Sequence, residues 1–296
     1  MRTLSVCIPV LNEAASLPRL LAQLHAQQDV TLDVVVADGG STDGCIETLP
    51  PGVRLVVGQG RGRGAQLNAA ARMARGDMLL FLHADSWIDA PRLLANAMTA
   101  LLATHRQAGY DHVAAHFPLR FQRTQGRCEL LFRYMEAKTR LNRPGTINGD
   151  QGMLMSRNFF ESLGGFDETR PFLEDQDMAA RVFATGRWIT LPGRLGTSAR
   201  RFESLGPWRV YAFMAMVMIA WHTGSNGFLA RVPALYAARL DRRAVWKAWR
   251  QTQRERRLSD VARYVGRNLW QIVFFVSTCF PRRSRAIPES ARAVSR

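Results

Sequence analysis

The first hundred residues alternate between short, β-branched apolar runs and longer segments whose apolar positions recur every three or four residues. LSVCIPV (4–10) precedes AASLPRLLAQLHAQQ (14–28), and DVVVAD (33–38) ends in a turn. VRLVV (53–57) leads to AQLNAAARMA (65–74), and MLLFLHAD (78–85) to APRLLANAMTALLA (90–103). Near-continuous apolar strands separated by amphipathic helices predict right-handed βαβ units, hence an α/β fold with a mostly parallel sheet covered by helices on both faces. HVAAHFPLRF (112–121) predicts one further strand, antiparallel, and RCELLFRYMEAKTRL (127–141) a helix. GDQGMLMS (149–156) reads as a buried loop and strand, and RNFFESLGGF (157–166) as a short helix closed by glycine. EDQDMAARVFATG (174–186) reads as a helix that opens with acids and stops at Gly186.

From residue 206 the pattern changes. VYAFMAMVMIAW (210–221) and LWQIVFFVSTCF (269–280) carry no charge, but both fall short of the ~20 residues that span a bilayer. Between them Val245, Trp249, Leu258, Val261 and Val265 fall near helical spacing among many arginines. That is the composition of a helix lying in an anionic membrane surface; packing on the remainder of the chain is the competing reading. Two parts are expected, an α/β domain over 1–205 and a basic, mainly helical region over 206–296.

Charge sharpens this division. The chain of 296 residues has a net charge of +16, and residues 200–296 hold 19 Lys or Arg against 5 Asp or Glu. The basicity belongs to the tail, where basic and aromatic residues form no recognisable groove reader, so a membrane surface is expected and nucleic acid is not. Four scattered cysteines without C-x-x-C spacing argue against a zinc cage or a disulfide framework and for a reducing compartment. No basic, apolar leader with a small-residue cleavage site precedes the first strand, so no signal peptide is expected.

Ligands of open parallel sheets sit beyond the carboxyl ends of the strands. Asn12 and Glu13 fall there after the first strand, Asp38-Gly39-Gly40-Ser41-Thr42-Asp43 after the second, the stretch VVGQGRGRGA (56–65) at the third, and His83-Ala84-Asp85 after the fourth. Turns favour Asp, Asn and Gly for backbone reasons; four such ends together point to a site. Gly60-x-Gly62-x-x-Ala65 fits the dinucleotide fingerprint, with Asp85 downstream, so an NAD-dependent oxidoreductase is one reading. Position opposes it, because those glycines should follow the first strand and here follow the third. A non-catalytic basic protein binding nucleic acid or membrane is another reading, resting on the tail alone.

Carboxylates at Glu13 and Asp38 repel phosphates but accept hydrogen bonds from a base and from ribose hydroxyls, which suits a nucleoside. Asp85, with His83 beside it, suits Mn²⁺ or Mg²⁺ bound jointly with a diphosphate. Arg61 and Arg63 could reach the same phosphates, although a basic, glycine-rich stretch is often only solvated. The cluster Glu174-Asp175-Gln176-Asp177 opens a helix, where acids favour the dipole in any case; its functional reading is a general base for an incoming hydroxyl.

SVCIPVLNEAASLPRLLAQL, VVVADGGSTDG, GRGRGAQLNAAARMARGDMLLFLHAD, GDQGMLM, GGFDE and LEDQDM, in this order, resemble the inverting family 2 glycosyltransferases of the GT-A fold. The resemblance runs over roughly residues 3 to 235. GDQG, LEDQDM and TSARRFE are similar to a bacterial subgroup often labelled arsenosugar-biosynthesis glycosyltransferase-like. The resemblance implies a GT-A-type nucleotide-diphospho-sugar transferase fold and metal-assisted, inverting transfer of a sugar from a nucleotide-sugar donor to an acceptor hydroxyl. It implies nucleotide-binding positions at Pro9, Asn12, Glu13, Asp38, Gly39, Gly40, Arg63, Asn68, Asp77 and Ala84. Asp85 would be the metal ligand closing a DXD-like motif, accompanied by His83, and Asp175 the catalytic base, preceded by Glu174. Asp150, Gln151, Arg200 and Arg201 would line the acceptor or diphosphate region. His83 stands where most of that family has an acid, and Ala65 where close relatives often have arginine, which leaves Arg63 to neutralise the leaving group. The expected location is cytoplasmic, peripheral on the inner face of the cell membrane.

Overall fold

The computed structural model describes residues 2–57, 62–170, 172–252 and 258–279. Gly60 and Arg61 of the glycine-rich stretch, and the tail beyond Cys279, lie outside the described residues. The chain runs β1 (Thr3–Val10), α1 (Leu17–His25), β2 (Thr31–Asp38), β3 (Arg54–Val57), α2 (Arg63–Met73), β4 (Met78–Phe81), β5 (Ser86–Trp87), α3 (Leu93–Ala108), β6 (Val113–His116), β7 (Leu119–Gln122) and α4 (Glu129–Lys138). A single turn of 3₁₀ helix, Gly149–Gln151, precedes β8 (Met153–Ser156), α5 (Arg157–Ser162), α6 (Glu174–Thr185), β9 (Arg187–Thr190) and β10 (Leu195–Ser198). Helices follow: α7 (Arg200–Leu205), α8 (Pro207–His222), α9 (Asn226–Leu229), α10 (Val232–Ala237), α11 (Arg242–Gln251), α12 (Leu258–Asn268) and α13 (Trp270–Cys279).

Seven strands form one sheet in the order β3-β2-β1-β4-β8-β6-β9, and β5-β10-β7 form a smaller one. The first four strands are mutually parallel, and β8 is antiparallel to both its neighbours. Because successive strand residues point to opposite faces, β1 divides its side chains between two cores. Leu4, Val6, Ile8 and Val10 meet α1, α3 and α4, whereas Cys7 joins residues of α2, α5 and α6 on the other face. Pro9 interrupts nothing: the ladder to β4 ends at Cys7 and Phe81, so its missing N–H falls beyond the last bond on that side.

The single strand expected over 112–121 is two strands in different sheets. β6 runs antiparallel to β8 but parallel to β9, and β7 pairs in parallel with β10. Phe117-Pro118 separates them, where proline cannot donate to a ladder.

The apolar run of α8 builds a third core with α9, α10 and α11, in which Val217, Phe228 and Val232 are fully buried. This core also takes in Leu173 and the flank of Phe172, the residues immediately before α6. The expectation of a membrane-lying stripe is corrected at two of its positions. Val245 is buried in this core, and Trp249 meets Phe228 edge-on with ring centroids 5.1 Å apart, so α11 turns its apolar face to protein. The side chain of Leu258 lies outside the described residues, and Val265 is exposed. No helix among the described residues is long and apolar enough to cross a membrane.

Candidate active site

The loops beyond β1 and β2 are laced together. Asn12, at a left-handed φ of 57°, donates its N–H to Ser41 Oγ at 2.9 Å and accepts the Thr42 N–H at 2.8 Å; Ala14 N–H donates to Asp43 at 2.7 Å. Gln66, in the first turn of α2, donates to the carbonyls of Val10 and Ala37 at 2.8 and 2.9 Å, closing the ends of β1 and β2. A Cβ on Gly39 would stand 2.8 Å from the Gln66 amide nitrogen, so a larger residue there would push that amide off its two carbonyls. Gly40 supplies the positive φ of the same turn.

Asp38 is buried, and its carboxylate accepts from the N–H groups of Gly40 and Ser41 and from Ser41 Oγ at 2.6 Å. It shapes the loop first. Glu13 differs: its Oε2 is buried with no hydrogen-bond partner among the described residues, its nearest cation being Arg200 at 3.8 Å. A buried carboxylate oxygen without a donor is costly unless a ligand supplies one.

Asp85, half-buried, forms the centre of a charged rim. Burial and the neighbouring Asp150 charge raise its pKa against the opposing charges of His83, Arg201 and Arg200. Arg19, whose guanidinium lies over the Trp87 ring at 3.5 Å from its centroid, feels both Asp85 and Glu13. Arg201 in turn lies over Tyr236 of α10, at 5.0 Å, which brings the helical part of the chain to the rim. Neither Arg19 nor Tyr236 is signalled by the sequence, because their partners are distant along the chain.

Opposite stands the start of α6. Asp175 Oδ2 accepts the Gly149 N–H at 2.8 Å, and Oδ1 accepts its neighbour Gln176 N–H at 2.8 Å. Burial and the Glu174 charge raise the Asp175 pKa, and the Gly149 bond and the charges of Arg63 and His83 only partly offset them. Glu174 is itself buried and accepts from Arg63 at 3.0 Å. Arg63, at the start of α2, is only partly withdrawn from water; the charges of Glu174, Asp175, Asp150 and Asp85 outweigh that desolvation and raise its pKa. A small cavity between these parts is lined by Leu67, His83, Gly149, Phe166, Glu174 and Asp175, among others.

Several expected positions lie elsewhere. Asn68, expected at the nucleotide, is buried and staples α2 to the 166–168 loop, donating to Phe166 O and Glu168 at 2.8 Å and accepting from Phe166 N–H, so its amide is engaged within the protein. Asp77 precedes β4, at the amino end of the sheet, and lines a cavity of about 290 Å³ with Arg2, His105, Asp111, Ser156, Arg157 and Asn158. Ala84 is a core residue. Gln151 is fully buried and donates to Thr139 O at 3.0 Å, with His116 Nδ1 2.7 Å away, so it anchors the 3₁₀ turn from beneath and lines no acceptor surface.

The residues present fit a divalent cation with one change. Two acids, Asp85 and Asp150, crowd one another at the rim, the arrangement a cation relieves, and Mn²⁺ or Mg²⁺ commonly takes only one or two protein carboxylates beside phosphate oxygens and water. Among the described residues no three His, Cys, Asp or Glu side chains gather for a metal. His83, the other expected ligand, has its Nδ1 2.7 Å from Asp150 Oδ1 and its Nε2 edge packed on Gly149.

A mostly parallel sheet with this polar rim and a helical C-terminal part is a GT-A-like fold. It is similar to a mannosyltransferase from Pyrobaculum calidifontis solved in complex with GDP-Man and Mn²⁺, at 21% identity and a TM-score of 0.54, covering 94% of this chain and 85% of that one. Residues 1–349 of S. aureus TarS superpose with a TM-score of 0.51 at 16% identity, covering 74% of this chain and 66% of that one. The family model of glycosyl transferase family 2 matches residues 5–164, and the chain belongs to that family. An undecaprenyl-phosphate 4-deoxy-4-formamido-L-arabinose transferase of Aeromonas hydrophila is 33% identical over 112 residues, 33% of this chain and 34% of that protein. The match thus spans about a third of that relative's length.

Proposed function

We propose that this glycosyltransferase moves a sugar from a nucleotide-diphosphate sugar to an acceptor hydroxyl in a single displacement that inverts the anomeric carbon. One observation carries the reading. Asp175 is held at the start of a helix by a backbone amide, with its pKa raised toward that of a working base, across a charged rim from Asp85.

The nucleoside would lie on the interlaced loops of Asn12, Glu13 and Asp38, with Glu13 Oε2 accepting a hydroxyl or base N–H. Asp85 would hold a divalent cation, with Asp150 close by; when bound, the cation stabilises charge on the departing diphosphate. Arg63, Arg200 and Arg201 would add fixed positive charge around the same phosphates. As the acceptor oxygen attacks the anomeric carbon, Asp175 takes its proton and the bond to the diphosphate breaks. Glu174 keeps Arg63 beside the base. The Phe172-Leu173 junction ties that geometry to α8–α11, so residues 206–296 would support the site as well as extend it.

The basic C-terminal region would also bring the enzyme to an anionic membrane surface on its cytoplasmic side. Trp208, Val265 and Leu269 are each about half exposed, and the tail carries most of the chain's net charge. The free thiols of Cys7, Cys45 and Cys128 accord with a reducing compartment. The deciding experiment incubates the full chain with a panel of nucleotide sugars, Mn²⁺ and hydroxyl acceptors, and reads the product's anomeric configuration by NMR. Inversion supports single displacement by Asp175; retention overturns it.

A further inference from the structure

His83 is engaged from both sides of its ring by one short turn. Its Nδ1 lies 2.7 Å from Asp150 Oδ1. On the other edge, a Cβ added to Gly149 would stand 2.8 Å from Nε2 and 3.4 Å from the Cβ of Asp175. Gly149 and Asp150 belong to the same 3₁₀ turn, and the Gly149 N–H is the donor that holds Asp175 Oδ2. The turn is tied to α6 a second time, because Gln176 donates to Asn148 Oδ1 at 3.0 Å. The end of β4 is thereby linked to the start of α6 through residues 148–150.

We infer that His83 is a positioning residue for Asp175, acting as a strut through Asp150 and Gly149, and not a ligand of the cation. This rests on the proposed role of Asp175 and deepens it. A carboxylate turns freely about its last bond unless donors fix it, and an error of about 1 Å at a reacting group costs on the order of 10²-fold in rate. Among the described residues no other side chain is bonded to Asp150, which is 47% exposed; without the imidazole its carboxylate is free to turn to solvent, and Gly149 is left with only the ties that Gln151 and Gln176 give the turn. The residue type matters too. An acid at position 83 would add a third negative charge beside Asp85 and Asp150, whereas the ring donates to Asp150.

The test uses the full chain and the variants His83→Phe, His83→Asn, Asp150→Asn, Asp85→Asn and the double variant His83→Phe/Asp150→Asn. Phenylalanine keeps a ring of similar shape without nitrogen, and asparagine puts an amide N–H near the position of Nδ1. Mn²⁺ binding in the presence of UDP or GDP is read by EPR, turnover with the best donor of the nucleotide-sugar panel, and Tm by thermal unfolding. The strut predicts that His83→Phe lowers kcat at least tenfold with donor KM and Mn²⁺ affinity within twofold of wild type, while Asp85→Asn weakens Mn²⁺ at least tenfold. His83→Asn recovers kcat to within about threefold, and the double variant is no slower than either single. Mn²⁺ affinity lost in His83→Phe as in Asp85→Asn, or kcat losses that multiply in the double variant, would overturn the inference. The glycosyl-transfer reading fails separately, by absence of turnover in the wild type. In that event coupled Tm losses at 83 and 150 still support the strut, and independent ones refute it.

Discussion

Arg63 Nη1 donates to Glu174 Oε1 at 3.0 Å, joining the helix that follows the glycine-rich stretch to the residue just before Asp175. One ion pair thus connects the cation proposed for the leaving group with the residue beside the proposed base. Glu174 is only 4% exposed, whereas Arg63 is 38% exposed, so its loss is softened by solvent on one side. Glu174→Gln is expected to destabilise by about 1–2 kcal/mol, below the range for fully buried pairs, because water screens Arg63. Urea unfolding measures this; an unchanged midpoint refutes a structural role for the pair.

Asp175→Asn is expected to reduce turnover by about 10²–10⁴-fold, the usual range for a general base, with donor affinity within twofold. The wild-type pH profile carries the sign of the shift. Burial and Glu174 raise the Asp175 pKa, and the base works unprotonated, so turnover falls as pH drops through a value above the ordinary carboxylate range. An acid limb at the ordinary carboxylate position, or a fully active Asp175→Asn, refutes the assignment.

Gly149→Ala introduces a Cβ 2.8 Å from His83 Nε2 and 3.4 Å from the Asp175 Cβ. The ring and the turn must separate, so turnover is expected to fall at least tenfold while far-ultraviolet circular dichroism stays native. Wild-type turnover in this variant contradicts the tight contact.

Membrane attachment is expected to depend on exposed side chains and not on the buried face of α11. The full chain is expected to cosediment with vesicles containing anionic lipid, weakly with neutral ones, and Trp208→Ser/Leu269→Ser to reduce binding severalfold. Equal binding to neutral vesicles, or no effect of the two substitutions, removes the proposal.

What the sequence revealed follows from how far apart the interacting residues are. The strands β1, β2 and β4 and the polar loops beyond β1, β2 and β4 are legible because apolar periodicity and turn residues are local signals. β5, β9 and β10 are two to four residues long and carry no period to read, and Pro118 alone divides what looks like one strand. Asp77 could have been set aside by direction, since it precedes its strand and must sit at the amino end. Gln151 and Asn68 are polar residues in motif-like settings whose partners, Thr139 and Phe166, become neighbours only through folding. The stripe around Val245 fits a membrane or a protein core equally well, and the core formed by α8–α10 decides for protein at that helix.

The most direct test of the central claim is a thermal-shift titration of the full chain with nucleotide sugars and with NAD, in Mn²⁺ and again in excess chelator. A nucleotide sugar is expected to raise Tm by several degrees in Mn²⁺, an effect largely lost in chelator and in Asp85→Asn. Stabilisation by NAD, or a nucleotide-sugar effect indifferent to both chelator and Asp85→Asn, would contradict a cation-bound donor at this rim.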